Sequence, residues 1–162
     1  MISQGEFIET YILDDEEDYY YDDKWLHIYN LGGLKEIKIE DLPSGIKFTK
    51  WCYTSIVLEN IEKIPPNVIF NNRGWIEIPY VKEISENVVF NNAGYLQLTR
   101  IGKVHPTVEF INLGDIFYDG YNIPKEIYFN NDGDVYIHKD VKKISKGVVF
   151  DNNDKYISEN KV

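Results

Sequence analysis

The chain of 162 residues has the length of one domain, and its 43% apolar and 15% aromatic content argues against a disordered protein. A single cysteine excludes an intramolecular disulfide framework, and no apolar run approaches the roughly 20 residues of a membrane helix. The net charge of −10 is concentrated in residues 1–23, which hold nine acids and no base, whereas residues 24–162 hold 18 acids and 17 bases. The chain lacks the basic surface typical of DNA- or RNA-binding proteins, and its acidic end favours a basic partner.

The N-terminal residues are predicted to form a capping hairpin. Residues 5–13 (GEFIETYIL) and 24–30 would be its strands, joined by an acidic, tyrosine-rich loop. Such a hairpin would cover the first coil of a repeat structure, whose core and strand edge would otherwise be exposed. We therefore divide the chain into a capping unit with the first strand, residues 1–30, and one continuous solenoid, residues 31–162.

The loop of this hairpin, here called the acidic segment, holds seven acids and three tyrosines in ten consecutive residues. They are Asp14, Asp15, Glu16, Glu17, Asp18, Tyr19, Tyr20, Tyr21, Asp22 and Asp23. A charge run of this kind is commonly a solvated loop. Alternatively, its carboxylates imitate phosphates and its tyrosines occupy base-stacking surfaces, so that it binds the nucleic-acid groove of a basic protein. Both interpretations stay open.

Residues 25–60 contain loosened copies of a repeat. The stretch 25–34 superimposes without a gap on 95–104, and residues 37–48 form a compressed unit. The next unit, around Ser55–Leu58, has two extra residues at 50–54, which predicts a longer loop there.

From Ile61 onward the repeat is regular. Its most obvious marker is a phenylalanine that recurs with spacings of 19 to 22 residues, at Phe48, Phe70, Phe90, Phe110, Phe129 and Phe150. Each unit has a β-branched residue two positions before this phenylalanine and a second apolar pair further on, such as Leu96 with Leu98. Two short alternating stretches predict two strands per coil, each with one face inward. The sequence thus predicts an all-β or β-rich solenoid with coils of about 20 residues and little helix.

Two further positions recur in the units. A glycine between the two stretches, as at Gly94, is expected where the backbone needs positive φ or close approach. An asparagine two residues after the phenylalanine recurs at Asn72, Asn92, Asn112, Asn131 and Asn152. We expect these side chains to be buried and stacked, bonding one another and the turning backbone.

The consensus IPxxVxFNNxGxVxLxxVKxI resembles the bacterial and phage leucine-rich-repeat-type proteins with short units, whose motif is LPxxLxVxxxLxL. The resemblance covers about residues 25–157 and implies a recognition scaffold. This chain departs from that pattern, because Asn92 follows Phe90 by two positions where the usual unit has three. No helical pattern is present either, so we expect a leucine-rich-repeat-like solenoid without the helices of a horseshoe.

Catalysis has little support in the sequence. His27, His105 and His138 belong to different units, Cys52 has no neighbouring base, and no HExxH, CxxC or GxSxG motif occurs. We therefore expect a protein that is not an enzyme and needs no cofactor or metal.

The outward positions of the second strand form a continuous face across the coils. Its aromatic, acidic and amide residues are the predicted partner-binding set: Trp25, His27, Tyr29, Trp75, Glu77, Tyr95, Gln97, Phe117, Asp119 and Tyr136. Exposed aromatic residues are enriched in protein interfaces. They also stabilise cross-strand ladders without binding anything, so the pattern leaves both interpretations open.

The leading hypothesis is a non-catalytic scaffold that binds a protein partner with a basic surface through this face. The alternative is a phage-type inhibitor, an anti-CRISPR or anti-restriction factor, that acts as an acidic nucleic-acid mimic. We expect no direct nucleic-acid or membrane binding, and a homodimer through a solenoid end stays possible because such an end exposes a strand edge. The N-terminal sequence MISQGEFIET has no signal-peptide pattern, which predicts a cytoplasmic protein, in the host cytoplasm if a phage encodes it.

Overall fold

The structure is a computed structural model. It describes residues 1–12, 18–29, 36–49, 54–119, 122–123, 128–131, 135–137, 143–144, 149–152 and 156–158. These residues contain one helix and 20 strands, which are α1 (Gln4–Tyr11), β1 (Tyr19–Asp22), β2 (Trp25–Ile28), β3 (Glu36–Ile39), β4 (Ile46–Phe48), β5 (Ser55–Leu58), β6 (Lys63–Ile64), β7 (Val68–Asn72), β8 (Ile76–Ile78), β9 (Val81–Ile84), β10 (Val89–Asn92), β11 (Leu96–Thr99), β12 (Ile101–Val104), β13 (Glu109–Asn112), β14 (Ile116–Asp119), β15 (Asn122–Ile123), β16 (Tyr128–Asn131), β17 (Val135–Ile137), β18 (Lys143–Ile144), β19 (Val149–Asn152) and β20 (Tyr156–Ser158). Within these ranges, no helix has the length and apolar character to cross a membrane.

The strands wind into a β-solenoid. Its first sheet has eight described strands in the order β1-β2-β4-β7-β10-β13-β16-β19, and its second sheet has seven in the order β3-β5-β8-β11-β14-β17-β20. In both sheets, described neighbours pair in parallel one coil apart, except for the antiparallel pair β1 and β2. The coils are spaced by about 20 residues, and the predicted fold class is confirmed.

Part of the solenoid has a third strand per coil that the sequence pattern does not reveal. β6, β9 and β12 form a short third sheet, and β15 pairs with β18. In β9 the buried residues are Val81 and Ile84, separated by the exposed Lys82 and the half-buried Glu83. Because this pattern lacks the strict alternation of a strand, two strands per coil are predicted where three are present.

The core is a column of identical side chains. Phe48, Phe70, Phe90 and Phe110 are fully buried on the inner face of the first sheet. Their rings stack nearly parallel, with centroid distances of 5.2, 5.0 and 5.0 Å between successive coils. The regular spacing of phenylalanine in the sequence therefore corresponds to one stacked ring per coil.

The recurring glycines stand where two coils approach closely. A Cβ atom added to Gly94 would lie 2.3 Å from the carbonyl oxygen of Gly74, and one added to Gly114 would lie 2.3 Å from that of Gly94. No real Cβ tolerates such a contact with backbone, so the expected close approach is confirmed.

The recurring asparagines share one register, and the two whose side chains the structure describes, Asn72 and Asn92, bond the backbone instead of each other. Asn72 lies opposite Asn92 in the first sheet, and both side chains are buried. The Asn72 amide donates to the carbonyl of Thr54 at 3.2 Å, and the Asn92 amide donates to that of Tyr95 at 3.0 Å. Neither Oδ1 atom accepts a hydrogen bond, so burial and backbone bonding are confirmed, whereas a bond between these two amides is absent.

A helix, and not the strand predicted for residues 5–13, covers the N-terminal end of the core. Ser3 and Glu6 form a reciprocal capping box that begins α1, with the Ser3 backbone N–H donating to the Glu6 carboxylate at 2.7 Å. Phe7 on this helix is fully buried, and its ring meets that of Phe48 edge-on at 6.2 Å. The Ser-x-x-Glu pattern at residues 3–6 was the sequence signal for this helix, and the strand prediction for these residues is wrong.

The capping hairpin is formed by β1 and β2. Asp23 and Lys24 make its two-residue turn, in which Asp23 has a φ of 49°. The second half of the acidic segment is therefore a strand, not a loop, because tyrosines favour extended backbone. Residues 13–17 lie outside the described residues.

Candidate interaction surface

The alternation along each strand of the second sheet fixes which side chains point outward. Ile76, Ile78, Leu96 and Leu98 are buried, so the residues beside them point outward. The parallel hydrogen-bond ladder continues through the residues that precede the strands. The backbone N–H of Ile76 donates to the backbone carbonyl of Tyr95, and that of Leu96 donates to the backbone carbonyl of Asp115. Outward side chains of successive coils therefore lie side by side, about 4.8 Å apart.

Four aromatic side chains form a continuous stripe across this face, which we call the aromatic stripe: Trp75, Tyr95, Phe117 and Tyr136. Ring centroids are 6.1 Å apart between the first and second, 5.8 Å between the second and third, and 4.7 Å between the third and fourth. Trp75 is 45% exposed, Tyr95 50% and Phe117 37%, whereas Tyr136 is half-buried. The stripe crosses four coils and moves by one outward position between Tyr95 and Phe117.

Acids and an amide flank the stripe. Glu77 and Gln97 pair in register beside Trp75 and Tyr95, and Asp115 lies on the other side, directly before β14. Among the described outward positions from Trp75 to Tyr136 there is no lysine or arginine. Asp119 is placed in register with Thr99, at the end of β14. Six of the ten predicted partner-binding residues thus meet on one surface, and Asp119 lies on the strand that carries Phe117.

The remaining three predicted residues, Trp25, His27 and Tyr29, belong to the other sheet. The strand β2 pairs with β4 of the first sheet, with Leu26 opposite Ile46. The similarity of residues 25–34 to residues 95–104 predicts that they lie on the second sheet, and this prediction is wrong. The apolar alternation of the two sheets is the same, so only the hydrogen-bond register distinguishes them.

Two of these residues, His27 and Tyr29, form a small aromatic cluster with Tyr20 of β1. Tyr20 stacks on His27 with centroids 4.3 Å apart and on Tyr29 at 5.2 Å. His27 is consequently buried, its Nε2 makes no hydrogen bond, and Asp22 Oδ2 is 4.0 Å away. Burial, together with the positive charge of Lys47, lowers the pKa of His27, and Asp22 opposes the shift. His27 is on the outer side of β2, opposite the core residues Leu26 and Ile28, but Tyr20 covers it, so the predicted exposure of His27 is wrong and its binding of a partner stays a prediction.

An open groove of about 760 Å³ lies on the outer face of the first sheet, and the sequence pattern did not identify it. Trp25, Ile69, Val89 and Glu109 contribute to its walls, and so do Asn67 and Asn87. The Asn87 amide donates to the Asn67 side-chain oxygen at 3.1 Å. Both asparagines have positive φ, near 58°, a conformation that asparagine tolerates, so the recurrence of asparagine at this position was the available sequence signal for a turn at this corner.

The described acids of the acidic segment lie on the capping hairpin, beside the aromatic cluster of Tyr20, His27 and Tyr29. The backbone carbonyl of Asp18 accepts a hydrogen bond from the backbone N–H of Tyr29, whereas Asp22 and Asp23 are exposed at the end of the hairpin. Tyr20 and Tyr21 are 39% and 53% exposed. Asp14, Asp15, Glu16 and Glu17 lie outside the described residues.

In the described ranges, no three His, Cys, Asp or Glu side chains come together in a group that could hold a metal ion. Cys52 and His138 lie outside those ranges. No protein-family model, curated protein or solved structure matches this chain.

Proposed function

We propose that this protein is a non-catalytic scaffold whose aromatic stripe binds a protein partner with a basic surface. The observation that carries the proposal is the continuity of four ring side chains over four coils, three of them more than a third exposed. Exposing such an apolar surface to water is unfavourable, and large exposed aromatic patches commonly mark interaction sites. The acids beside the stripe favour a cationic partner.

The coils also support a finer assignment. We group the chain with the leucine-rich-repeat-like solenoids of bacteria and phages, on the basis of the repeated IPxxVxFNN motif and of a parallel strand in every coil. Scaffolds of this kind bind partners along extended surfaces, which suits a stripe that runs along the solenoid.

The test compares the intact stripe with a truncated one. Proteins captured from a bacterial lysate by the wild-type chain are quantified against those captured by Trp75→Ala/Tyr95→Ala, and the affinity of each captured protein is then measured by calorimetry. Loss of the two rings should weaken the true partner by at least about 2 kcal/mol, as expected for central interface residues.

Tyr80→Ala is the matched control. Tyr80 is 42% exposed and lies in the corner after β8, outside the stripe, so its loss should leave capture unchanged. Equal capture by all three chains would refute the proposed function.

A second candidate function rests on the exposed tyrosines Tyr20 and Tyr21 beside the acidic residues Asp22 and Asp23. In this proposal, the acidic segment inhibits a nucleic-acid-binding protein by occupying its basic groove. Replacing Asp14, Asp15, Glu16, Glu17 and Asp18 by their amides should then abolish binding. Affinity should also fall steeply with salt, because such attraction is screened over about 8 Å at physiological ionic strength.

A further inference from the structure

We propose that the outer edge of β1 is a second binding site, which takes an extended segment of another protein as an added antiparallel strand. The segment carries basic residues four positions apart, which lie opposite Asp18 and Asp22. This site is separate from the aromatic stripe, because β1 belongs to the first sheet and the stripe to the second. The inference therefore goes beyond the proposed function and does not depend on it.

The first step is the position of β1 in its sheet. It is the first strand in the order of the eight-stranded sheet, so among the described strands it has a neighbour on one side only, which is β2. On β2, the backbone N–H of Leu26 donates to the carbonyl of Gly45 at 2.8 Å, and the carbonyl of Ile28 accepts from the N–H of Thr49 at 2.8 Å. These backbone groups of Leu26 and Ile28 therefore point away from β1.

The second step is the direction of the backbone groups of β1. Tyr21 lies opposite Leu26, and Tyr19 lies opposite Ile28. In an antiparallel ladder, hydrogen-bonded pairs alternate with pairs that exchange no hydrogen bond, and these two pairs are of the second kind. The N–H and carbonyl groups of Tyr19 and Tyr21 thus point outward from the edge of the sheet. Such a row of backbone groups is what an added strand bonds when it extends a sheet.

The third step is the set of side chains that an added strand would meet. The alternation along β1 places Asp18, Tyr20 and Asp22 on one face. On that face the ring of Tyr20 stacks on His27, and Asp22, whose side chain is 64% exposed, has Oδ2 4.0 Å from His27 Nε2. Within the described ranges, neither carboxylate forms an ion pair with a lysine or arginine. Opposite charges on neighbouring strands attract, so two basic residues four positions apart would face the two acids.

The same geometry argues against a second copy of this chain as the occupant. If two β1 edges paired antiparallel through the outward groups of Tyr19 and Tyr21, Asp18 of each chain would lie opposite Asp22 of the other. Like charges directly opposite each other destabilise a strand pair, and charged side chains protect sheet edges from self-association. A basic segment replaces this repulsion by attraction, so charge selects a different protein as the partner.

The experiment uses the full chain and three labelled synthetic peptides, followed by fluorescence anisotropy. In Thr-Val-Arg-Val-Thr-Val-Arg-Val-Thr the arginines are four positions apart, on one face of a strand. In Thr-Val-Arg-Val-Thr-Arg-Val-Val-Thr, which has the same composition, they are three apart and lie on opposite faces. The third peptide has glutamates in place of the arginines of the first. The first peptide should bind at least about tenfold more tightly than the second, and the third should not bind.

Methylation of the peptide backbone tests the strand pairing without changing the protein. When the central threonine of the first peptide lies opposite Tyr20, the N–H groups of its fourth and sixth residues face Tyr21 and Tyr19, whereas those of its third and fifth residues face away. N-methyl groups on the fourth and sixth residues should therefore abolish binding. N-methyl groups on the third and fifth residues should weaken it far less.

Variants of the protein locate the site. Tyr21→Pro removes an outward N–H that does not bond β2, so an edge strand tolerates it, and Tyr21→Ala is the matched control that loses the same ring but keeps the N–H. Tyr21→Pro should weaken the first peptide at least about tenfold more than Tyr21→Ala does. Asp22→Asn should weaken it more than Asp23→Asn, which removes the same charge from the turn. Circular dichroism shows whether each variant is folded.

Equal binding of the two basic peptides, or equal effects of the two methylation patterns, would overturn the inference. So would sedimentation velocity that shows a dimer of the wild-type chain and a monomer of Tyr21→Pro, because the edge would then hold a second copy.

The aromatic stripe provides the last control. Trp75→Ala/Tyr95→Ala should bind the first peptide as the wild-type chain does, and loss of binding in this variant would place the peptide on the stripe and refute the inference. The proposed function fails only if capture from the lysate ignores the stripe, so the two failures are distinguishable.

Discussion

The rings of Phe70 and Phe90, which are 20 residues apart in the chain, lie parallel within 4° with centroids 5.0 Å apart. This contact repeats from Phe48 to Phe110 and joins each coil to the next through the core. The rings of Phe70 and Phe90 therefore each have an aromatic neighbour on both sides along the column.

Phe90→Ala should lower the free energy of unfolding by about 3–5 kcal/mol, because it leaves a cavity between two stacked rings. Urea unfolding followed by circular dichroism measures the effect. Phe117→Ala is the matched control, since Phe117 is exposed on the outer face and its loss should cost much less. A Phe90→Ala chain with the wild-type midpoint would contradict the role of the column.

Gly94→Ala should destabilise the solenoid by about 3 kcal/mol, since its Cβ would lie 2.3 Å from the Gly74 carbonyl oxygen and force two coils apart. Thermal unfolding measures it.

Gly5→Ala is the matched control for that change. Gly5 lies in α1, where the nearest atom to an added Cβ is Ser3 Oγ at 4.0 Å. Alanine favours helix, so this variant should be neutral or up to about 1 kcal/mol more stable. Equal destabilisation of both variants would rule out coil contact as the cause.

Asn92→Ala should cost about 0.5–1.5 kcal/mol, because the hydrogen bond from the buried amide to the carbonyl of Tyr95 is lost while the Ile76 backbone N–H still donates to that carbonyl. Asn91→Ala, at the neighbouring half-buried position, serves as the comparison in the same urea titration. If the two variants unfold at the same denaturant concentration, the buried amide does not support the corner.

Stability should fall as the pH is lowered through the ordinary histidine range, because burial and Lys47 lower the pKa of His27 in the folded chain. Below a pH of about 6.5, His27 binds a proton more readily in the unfolded chain than in the folded chain, so lowering the pH stabilises the unfolded state. The contribution of His27 to the free energy of unfolding is therefore fully present above that pH, and it is lost as the pH falls toward the folded-state pKa.

The measurement is urea unfolding of the wild-type and His27→Gln chains at pH 7.5 and 5.5. The wild-type chain should lose more stability between the two than the variant does. A variant with the full wild-type loss would assign the pH dependence to other groups.

The sequence by itself determined the solenoid and its core. Parallel coils place residue i beside its equivalent in the next unit, so a repeat of Phe70, Phe90 and Phe110 predicts a column with no further information. The same argument holds for the close contact at Gly94. It also predicted that Trp75 and Tyr95 are neighbours, because both precede the same strand of their units.

Tertiary structure alone decided where the irregular N-terminal residues belong. Trp25 and Tyr95 have the same local alternation, which in both sheets repeats every two residues, and only the pairing of β2 with β4 shows that Trp25 is on the first sheet. Burial of His27 likewise depends on Tyr20, which reaches it from another strand. Local periodicity reports which side of its own strand a residue occupies, whereas the identity of the sheet and the covering of a side chain depend on hydrogen bonds and packing between distant segments.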